Sequence, residues 1–550
     1  MSSIPEDYFK LDPSIFRTMQ ERIAMVTHPD CNEEVLKIVA LYDSDPAVIE
    51  SCAFNAKASV EVIDIICERL KKTKEEIQVA QRSWKRKNNP KFKDSFCVLP
   101  WLHAATNSNG SIRACCQMIY NDTEVPFGNI TKDDGTPLTG ADNIEQHRNA
   151  TAWKKLRSDM ISGKRHPTCK LCWDEEENNI ESKRQQYNAI YNSDIESILD
   201  NTSPDGSIDP ENFPIKYWDL RFGNKCNIKC RTCGPTDSDQ WYSDWIGLGQ
   251  GDTFKTKDGD VIQIESIDGK FKTPKVFDWV DDSALWSAIQ NNIHNIDRFY
   301  FTGGEPTINV RHRQLLQYMI DNNFSKDIIL EYNTNMAGVP DSVFSQWRHF
   351  KEVHVGMSID GIYEHFEYIR NPGKWSAVEK NLTKIDSLVE LKNITATFTV
   401  TISIMNVLHI LDMFWWMKEK KFSRIDKNIV THNLYWPKFY NIQNLPNEVK
   451  LIITNSYKQF IDDIYKRWGS DIEWCKKTEQ TLNSILTHMN SVEPDLLEFD
   501  GYFKRQDALD KLRKENWRES LTNIAKVIDY YNDTQTRKHN VSLETTGKRK

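Results

Sequence analysis

The sequence predicts an α/β protein: a partial (β/α)6 barrel with helical extensions at both ends and a cysteine-rich segment in front of the barrel. Three observations carry this. From Lys216 onward, short apolar or alternating runs recur between helical stretches: KYWDLRF, RFYFTGG, IILEYNT, VHVGMSID, ITATFTVTIS and DKNIVTHNLY. Strands that alternate with helices form parallel βαβ units. On several of these runs a polar residue stands at every second position, which places polar side chains on one sheet face and apolar ones on the other. Outside this region the chain reads as helix.

In chain order, residues 1–90 are expected to be helical. HPDCNEEVLKIVA from His28 is echoed by NAKASVEVIDIIC from Asn55, each copy a polar turn followed by an amphipathic helix. DSDPAV, around Pro46, supplies the break and helix start between them. Residues 95–195 form the cysteine-rich module. Residues 196–213, rich in Asp, Ser, Asn and Pro, read as a linker. The core spans 214–445, with an insertion from about Gly247 to Lys275 expected as a surface hairpin or loop. Residues 446–535 are helical and charged, and 536–550 are expected to be a frayed or disordered tail.

Composition narrows the function. The chain has 550 residues, of which 39% are hydrophobic and 11% aromatic, enough for a sizeable core. A net charge of −8 gives no electrostatic reason to expect nucleic-acid binding. The basic stretch from Arg69 to Lys93 reads as a solvated helix face plus linker. MSSIPEDYFKLDPSIF has no basic-then-apolar signal pattern. The most apolar stretch, Ile394 to Met417, is interrupted by Thr395, Thr397, Thr399, Asn406, His409 and Asp412, so no membrane span is expected. A soluble cytoplasmic protein is the expectation. In a reducing compartment its twelve cysteines point to metal or redox chemistry, not to a disulfide framework. Cys31, Cys52, Cys67 and Cys475 stand alone and read as buried thiols.

The first cysteine cluster is WDLRFGNKCNIKCRTCG: Cys226, Cys230 and Cys233 directly after a strand. Three thiolates are one short of the four that usually fill a four-iron cubane, so one iron stays open to a ligand. Structural zinc is the alternative, but no fourth partner is adjacent. The Cx3Cx2C signature after the first barrel strand resembles the radical S-adenosylmethionine superfamily. That resemblance implies a [4Fe–4S] cluster whose open iron chelates the methionine amino and carboxylate groups of S-adenosyl-L-methionine. One-electron reduction then gives a 5′-deoxyadenosyl radical, which abstracts a substrate hydrogen. Thr232 stands where many members carry an aromatic residue.

FTGGEP, residues 301–306, ends the second core strand. Glycines there let the backbone approach a ligand closely, and Pro306 fixes the turn. By the resemblance, Gly303, Gly304 and Glu305 contact the methionine amino group. The alternation in VHVGMSID puts His354, Gly356, Ser358 and Asp360 on one face. Thr395, Thr397, Thr399, Thr401 and Ser403 share a face, as do Glu331, Asn333 and Asn335, and Asp219 lies with Arg221. Such faces suit a barrel with a polar ligand in its lumen. By the resemblance, Ser358 and Asp360 sit where relatives bind ribose or carboxylate; Arg370 in YIRNPG and Asn406 are further candidate cofactor contacts.

The second cluster is Cys97-x12-Gly110-x4-Cys115, followed by Cys169-x2-Cys172. A strand–turn–strand with Asn109-Gly110 at its bend would bring Cys97 and Cys115 together. Four cysteines could hold structural zinc. The spacing also resembles the SPASM or twitch auxiliary-cluster module of the same superfamily, here ahead of the core and without the further CX5CX3C portion, which implies one auxiliary [4Fe–4S] cluster. Cys116 competes with Cys115; the Gx4C spacing favours Cys115.

The leading expectation is a radical S-adenosylmethionine enzyme fed by an electron donor such as ferredoxin or flavodoxin. The helical N-terminal region tilts its substrate toward a peptide or protein, with a sugar or other small molecule as the alternative. A non-catalytic zinc or electron-transfer protein and a helical scaffold are the competing classes. No substrate-side catalytic residue is assigned.

Overall fold

All six core runs form strands. The computed structural model describes residues 18–547 apart from 88–93, 119–131, 135, 137, 140, 141, 143, 178–180, 257, 258, 282, 389 and 390. Its strands are β1 (His103–Thr106), β2 (Ile112–Arg113), β3 (Tyr217–Arg221), β4 (Thr253–Lys255), β5 (Val261–Gln263), β6 (Ser266–Ile267), β7 (Lys270–Phe271), β8 (Arg298–Thr302), β9 (Ile329–Thr334), β10 (Glu352–Ser358), β11 (Ile394–Ile402) and β12 (Ile425–Asn433). Eight of them make one sheet in the order β12-β11-β10-β9-β8-β3-β1-β2. Every neighbouring pair in it is parallel except β1–β2.

From β3 through β8 to β12, each strand pairs with the next in sequence, and helices occupy the crossovers. Right-handed crossovers that always step the same way put their helices on one face. The apolar rows lie on that side: Val353, Val355 and Met357 of β10 and Ala396, Phe398 and Val400 of β11 are buried in the main core. Each such large aliphatic side chain contributes about 1.5–3 kcal/mol by leaving water. The alternating partners Gly356, Ser358, Thr397 and Thr399 are only half-buried, so the opposite face is the polar one, as the period-2 pattern predicts. The insertion after β3 forms two hairpins, β4–β5 and β6–β7.

The cysteine-rich segment is joined to this core. The expected strand–turn–strand is present, with Gly110 at φ +82° in its bend, and β1 adds in parallel to β3, pairing Ala105 with Asp219. Four buried residues, HAAT, give no alternation from which that partner could be read.

The N-terminal helices Met19–Thr27, Glu33–Tyr42, Pro46–Cys52, Val60–Leu70 and Lys74–Lys87 have their own apolar core. Asp45 caps the helix that opens on Pro46, as DSDPAV predicts. The two echoed turns touch: Asn55 Nδ2 donates to the carbonyls of Val26 and His28 at 2.8 Å. Cys31, Cys52 and Cys475 are fully buried, and Cys67 half-buried. Residues 1–17 and 88–93, which carry the N-terminal stretch and the end of the basic run, lie outside the described residues.

The C-terminal helices Asn447–Trp468, Ile472–Met489 and Leu496–Arg513 instead share the core of the sheet. The last helix, Thr522–Gly547, continues into the stretch for which a frayed tail was expected. Among the described residues, no helix is long and apolar enough to cross a membrane.

Candidate functional site

The three-cysteine loop leaves the C-terminal end of β3, and its neighbours hold it from several sides. Cys226 N–H donates to Asp239 Oδ1 at 3.1 Å, Ser238 Oγ to the Ile228 carbonyl at 2.7 Å, and Trp241 Nε1 to the Cys230 carbonyl at 2.9 Å. The backbone N–H groups of Lys229 and Arg231 donate to the carbonyls of Asn371 and Ile369 at 2.6 and 2.8 Å. These bonds fold the loop so that Cys226, Cys230 and Cys233 fall in one small cluster with Ile228 and Ala337. Arg370 Nη1 lies 3.7 Å from Cys230 Sγ. The hydrogen bond from Cys233 holds the Cys230 thiol below its ordinary value against burial, with Arg370 adding to it. Cys233, the donor, is pushed well above its own.

Among the described residues, no three or more His, Cys, Asp or Glu side chains are grouped to hold a single metal ion. Three thiols on one short loop are a donor set that could each meet a different iron of a cubane.

The Gly303–Gly304 turn, at the C-terminal end of β8, presses against this loop. Both glycines have positive φ, +76° and +51°. A Cβ on Gly304 would stand 2.3 Å from the Lys225 carbonyl oxygen, and one on Gly303 2.7 Å from Arg221 Cβ. Glu305 N–H donates to that same Lys225 carbonyl at 2.9 Å. The Glu305 carboxylate is buried and accepts from Thr307 Oγ1 and N–H, Thr334 Oγ1 and Asn335 N–H, at 2.6–3.2 Å. Burial raises its pKa from the ordinary glutamate value, while these four donors work the other way. Glu305 thus ties the glycine turn to the end of β9. Asn335 in turn donates to Asn227 Oδ1 at 2.8 Å, inside the cysteine loop.

Asp360 and Arg370 meet beyond β10: Arg370 Nη2 is 2.8 Å and Nε 3.0 Å from Asp360 Oδ2, while Thr401 N–H donates to Oδ1 at 2.8 Å. Arg370 therefore links Asp360 to Cys230. Asn406 is fully buried; its amide donates to the carbonyls of Asp360 and Thr401 at 3.0 and 2.9 Å, and its oxygen accepts from Ser403 N–H at 2.8 Å. Ser358 stays half-buried on the polar face.

The second group of cysteines also converges. Cys97, Cys115, Cys169 and Cys172 line one small cavity, together with Met118, Met160 and Arg184. Burial pushes the Cys169 and Cys172 thiols up to about 12 and about 11. Cys116 does not line that cavity. It faces the other way, where Lys183 Nζ donates to its sulfur at 3.0 Å.

This Lys183 neighbourhood was not legible in the sequence. The ammonium lies 3.3 Å from Tyr217 Oη and 4.0 Å from Asp219 Oδ2, over the rings of Tyr187, Tyr217 and Tyr300. Asp219 is fully buried, with its carboxyl between Lys183 and Cys116. Burial and the adjacent Cys116 push its carboxyl well above the usual range, against Lys183 and Arg221. The available signal was the capping box Ser182–Gln185, which fixes where the Lys183 helix starts. It does not say which way Lys183 faces.

No protein-family model matches this chain, and no curated protein does. Solved structures resemble it in part. Native anSMEcpe with bound AdoMet and Cp18Cys peptide is 16% identical over 46% of this chain, with a TM-score of 0.29; the match spans 60% of that protein's length. Streptococcus suis SuiB bound to precursor peptide SuiA is 12% identical over 57% of this chain and 64% of its own, at 0.28. TYW1 with a lysine-pyruvate adduct bound is 13% identical over 46% of this chain and 71% of its own, at 0.23.

Proposed function

We propose that this chain is a radical S-adenosylmethionine enzyme with one auxiliary [4Fe–4S] cluster, built on a partial barrel and acting on a peptide or protein. The observation that carries the reading is the contact between the three-thiol loop after β3 and the Gly303–Gly304 turn after β8. Both lie at the C-terminal ends of adjacent parallel strands, where ligands of α/β sheets bind. A four-iron cluster on Cys226, Cys230 and Cys233, with S-adenosyl-L-methionine at its open iron, would supply one-electron cleavage of the sulfonium to a 5′-deoxyadenosyl radical that takes hydrogen from the substrate.

The chain's own residues divide the remaining work. Gly303 and Gly304 leave backbone open toward the cofactor's amino acid end, and Glu305 holds that turn against the thiol loop. Ser358 and the Asp360–Arg370 pair offer a hydroxyl and a charged pair to its ribose and carboxylate. Asn406 acts through Asp360, whose carbonyl it holds. On the same face, the buried carboxyl of Asp219, beside Lys183 and Cys116, offers a polar contact to the substrate. Cys97, Cys115, Cys169 and Cys172 would hold the auxiliary cluster; with four protein ligands it would be closed to substrate and serve electron transfer or structure. On this reading the chain works in the cytoplasm, with an electron donor such as ferredoxin or flavodoxin.

Anaerobic reconstitution tests the proposal. The expected product holds about eight irons in two cubanes and forms 5′-deoxyadenosine when reduced with S-adenosyl-L-methionine. Cys230→Ala is expected to abolish that product, and Cys169→Ala to remove one cluster while leaving uncoupled cleavage partly intact. Stoichiometric zinc without cleavage would overturn the reading.

A further inference from the structure

The C-terminal helices meet the cysteine loop chiefly at Arg231, which lies between Cys230 and Cys233. Its guanidinium is fully buried. Nη1 donates to Gln506 Oε1 at 3.0 Å, and Nη2 to Asp510 Oδ1 and Glu515 Oε2 at 2.5 Å each. Nε donates to the Tyr368 carbonyl at 3.2 Å, and the charge lies 3.6 Å from the Tyr368 ring centroid. All three guanidinium nitrogens are therefore engaged, and three of the four acceptors come from the far end of the chain.

The arrangement is reciprocal and doubled. Tyr368 Oη donates to Asp510 Oδ1 at 2.8 Å, and Asp510 Oδ2 accepts from Trp517 N–H at 2.6 Å. Asn371, whose carbonyl holds Lys229 N–H, donates to Glu515 Oε1 at 2.6 Å. Beside this, Arg513 donates to Asp244 Oδ2 at 2.7 Å and to the Lys229 carbonyl at 3.0 Å, while Lys229 Nζ donates to Asp244 Oδ1 at 2.7 Å. Arg505 and Arg513 both lie about 5 Å over Trp241, the residue that holds the Cys230 carbonyl. The helix Leu496–Arg513 ends at Lys514 in the left-handed region, φ +56°, and that turn brings Glu515 round to the loop.

A helical extension could have docked by apolar packing alone. Here its last turns carry a set of charges matched to the ligand loop. A buried guanidinium is tolerated only when it is paired, and its planar fork fixes direction as well as distance. We propose that Arg231 is a positioning residue for the three-thiol loop and that residues 506–515 are its clamp, so the C-terminal helices are part of the cluster site. This rests on the enzyme reading above, since it concerns how that loop holds its cluster.

Coupling between two sites is mutual. If the clamp fixes the loop, loading the loop must stabilise the clamp. The test is hydrogen–deuterium exchange on the full chain in three anaerobic states: apo, reconstituted, and reconstituted Cys230→Ala. Peptides covering 496–515 are expected to exchange about tenfold more slowly in the reconstituted wild type than in the apo protein, within the usual range for coupled sites. Cys230→Ala, left with auxiliary iron alone, is expected to keep apo rates there. Equal rates in apo and reconstituted wild type, with Cys230→Ala still losing iron, would overturn the clamp and leave the enzyme reading intact. Wild-type iron content in Cys230→Ala would overturn the enzyme reading itself.

A second measurement asks for more than folding. Arg231→Lys keeps the charge and loses the fork. Its reduced cluster is expected to give an altered paramagnetic resonance signal and to release iron to a chelator about tenfold faster, again on the scale of site coupling. A wild-type signal and release rate would overturn the positioning role.

Discussion

Gly304→Ala is the sharpest test of the contact between the glycine turn and the thiol loop. The residue sits at φ +51°, where an alanine costs about 1–2 kcal/mol of backbone strain. The larger effect is steric. Its new Cβ would meet the Lys225 carbonyl oxygen at 2.3 Å and the carbon at 2.9 Å, and neither can rotate away because both are backbone. Contacts below 3.0 Å are essentially never seen for real Cβ atoms, so the turn and the loop must separate by about 0.7 Å, and a misplacement near 1 Å can lower a rate about 10²-fold. Lys225 immediately precedes Cys226, so the displacement is delivered to a ligand. The assay is 5′-deoxyadenosine formed by the reconstituted, reduced variant with S-adenosyl-L-methionine, beside its iron content. Gly249→Ala is the control: φ is +72° but no atom lies within 4 Å of the added Cβ, so it carries the strain without the collision. Cleavage by Gly304→Ala within about threefold of the Gly249→Ala rate, set against the two orders expected from misplacement, would refute the reasoning.

Cys115→Ala is expected to lower iron content by one cluster while Cys116→Ala leaves it unchanged; equal losses, measured by iron and sulfide analysis, would reverse the assignment that the cavity makes. Asp360→Asn leaves the buried Arg370 guanidinium without its ion pair and is expected to destabilise the fold by about 3 kcal/mol, read as a lower urea midpoint; an unchanged midpoint would show that the pair does not matter. Burial holds His312 and His365 down to about 3 and His488 to about 4, from an ordinary 6.5. Their folded values lie below the unfolded one, so the stability they contribute is complete above pH 6.5 and is lost as pH falls toward 4 and 3. At pH 5 unfolding should therefore take up about one proton at each, and His312→Gln should remove about one from the total; an unaltered pH slope of the unfolding free energy would contradict this.

Core strands such as β10 and β11 were legible because their alternation is long and their apolar rows are uninterrupted. In β11 the buried set Ala396, Phe398, Val400 and Ile402 is unbroken, and each partner is Thr. The thiol loop and glycine turn were legible as motifs, because ligand chemistry constrains residues close together in sequence. Long-range pairing was not. Arg231 and Asp510 are 279 residues apart, and neither residue alone predicts the other. Nor could β1 be assigned to β3, since four small or buried residues specify no partner. Between Cys115 and Cys116, the Gx4C spacing favoured the residue that lines the cavity, but only the turn of the chain after β2 shows what Cys116 faces instead.

That turn joins the four-cysteine cavity to Asp219 on β3. Cys115 lines the four-cysteine cavity while its neighbour Cys116 meets Lys183 near the polar face of β3. The facing helix repeats the division: Lys183 approaches Cys116 and Asp219, and Arg184, the next residue, lines the cavity and donates to the Phe96 carbonyl. Arg184 also pairs with Glu176, which follows the Cys169–Cys172 knuckle. Two consecutive residues on one helix and two on one hairpin thus connect the cavity with Asp219, which pairs across the ladder with Ala105 of β1. Side chains packed this closely transmit displacement, because neither strand can shift without breaking ladder bonds. Loss of the four-cysteine site should accordingly be felt at Asp219 through Lys183 before it is felt at Cys226, which is anchored separately by Asp239, Glu305 and the C-terminal clamp. Asp219 and the thiol loop are held by different parts of the chain, and the four-cysteine cavity is joined to the former.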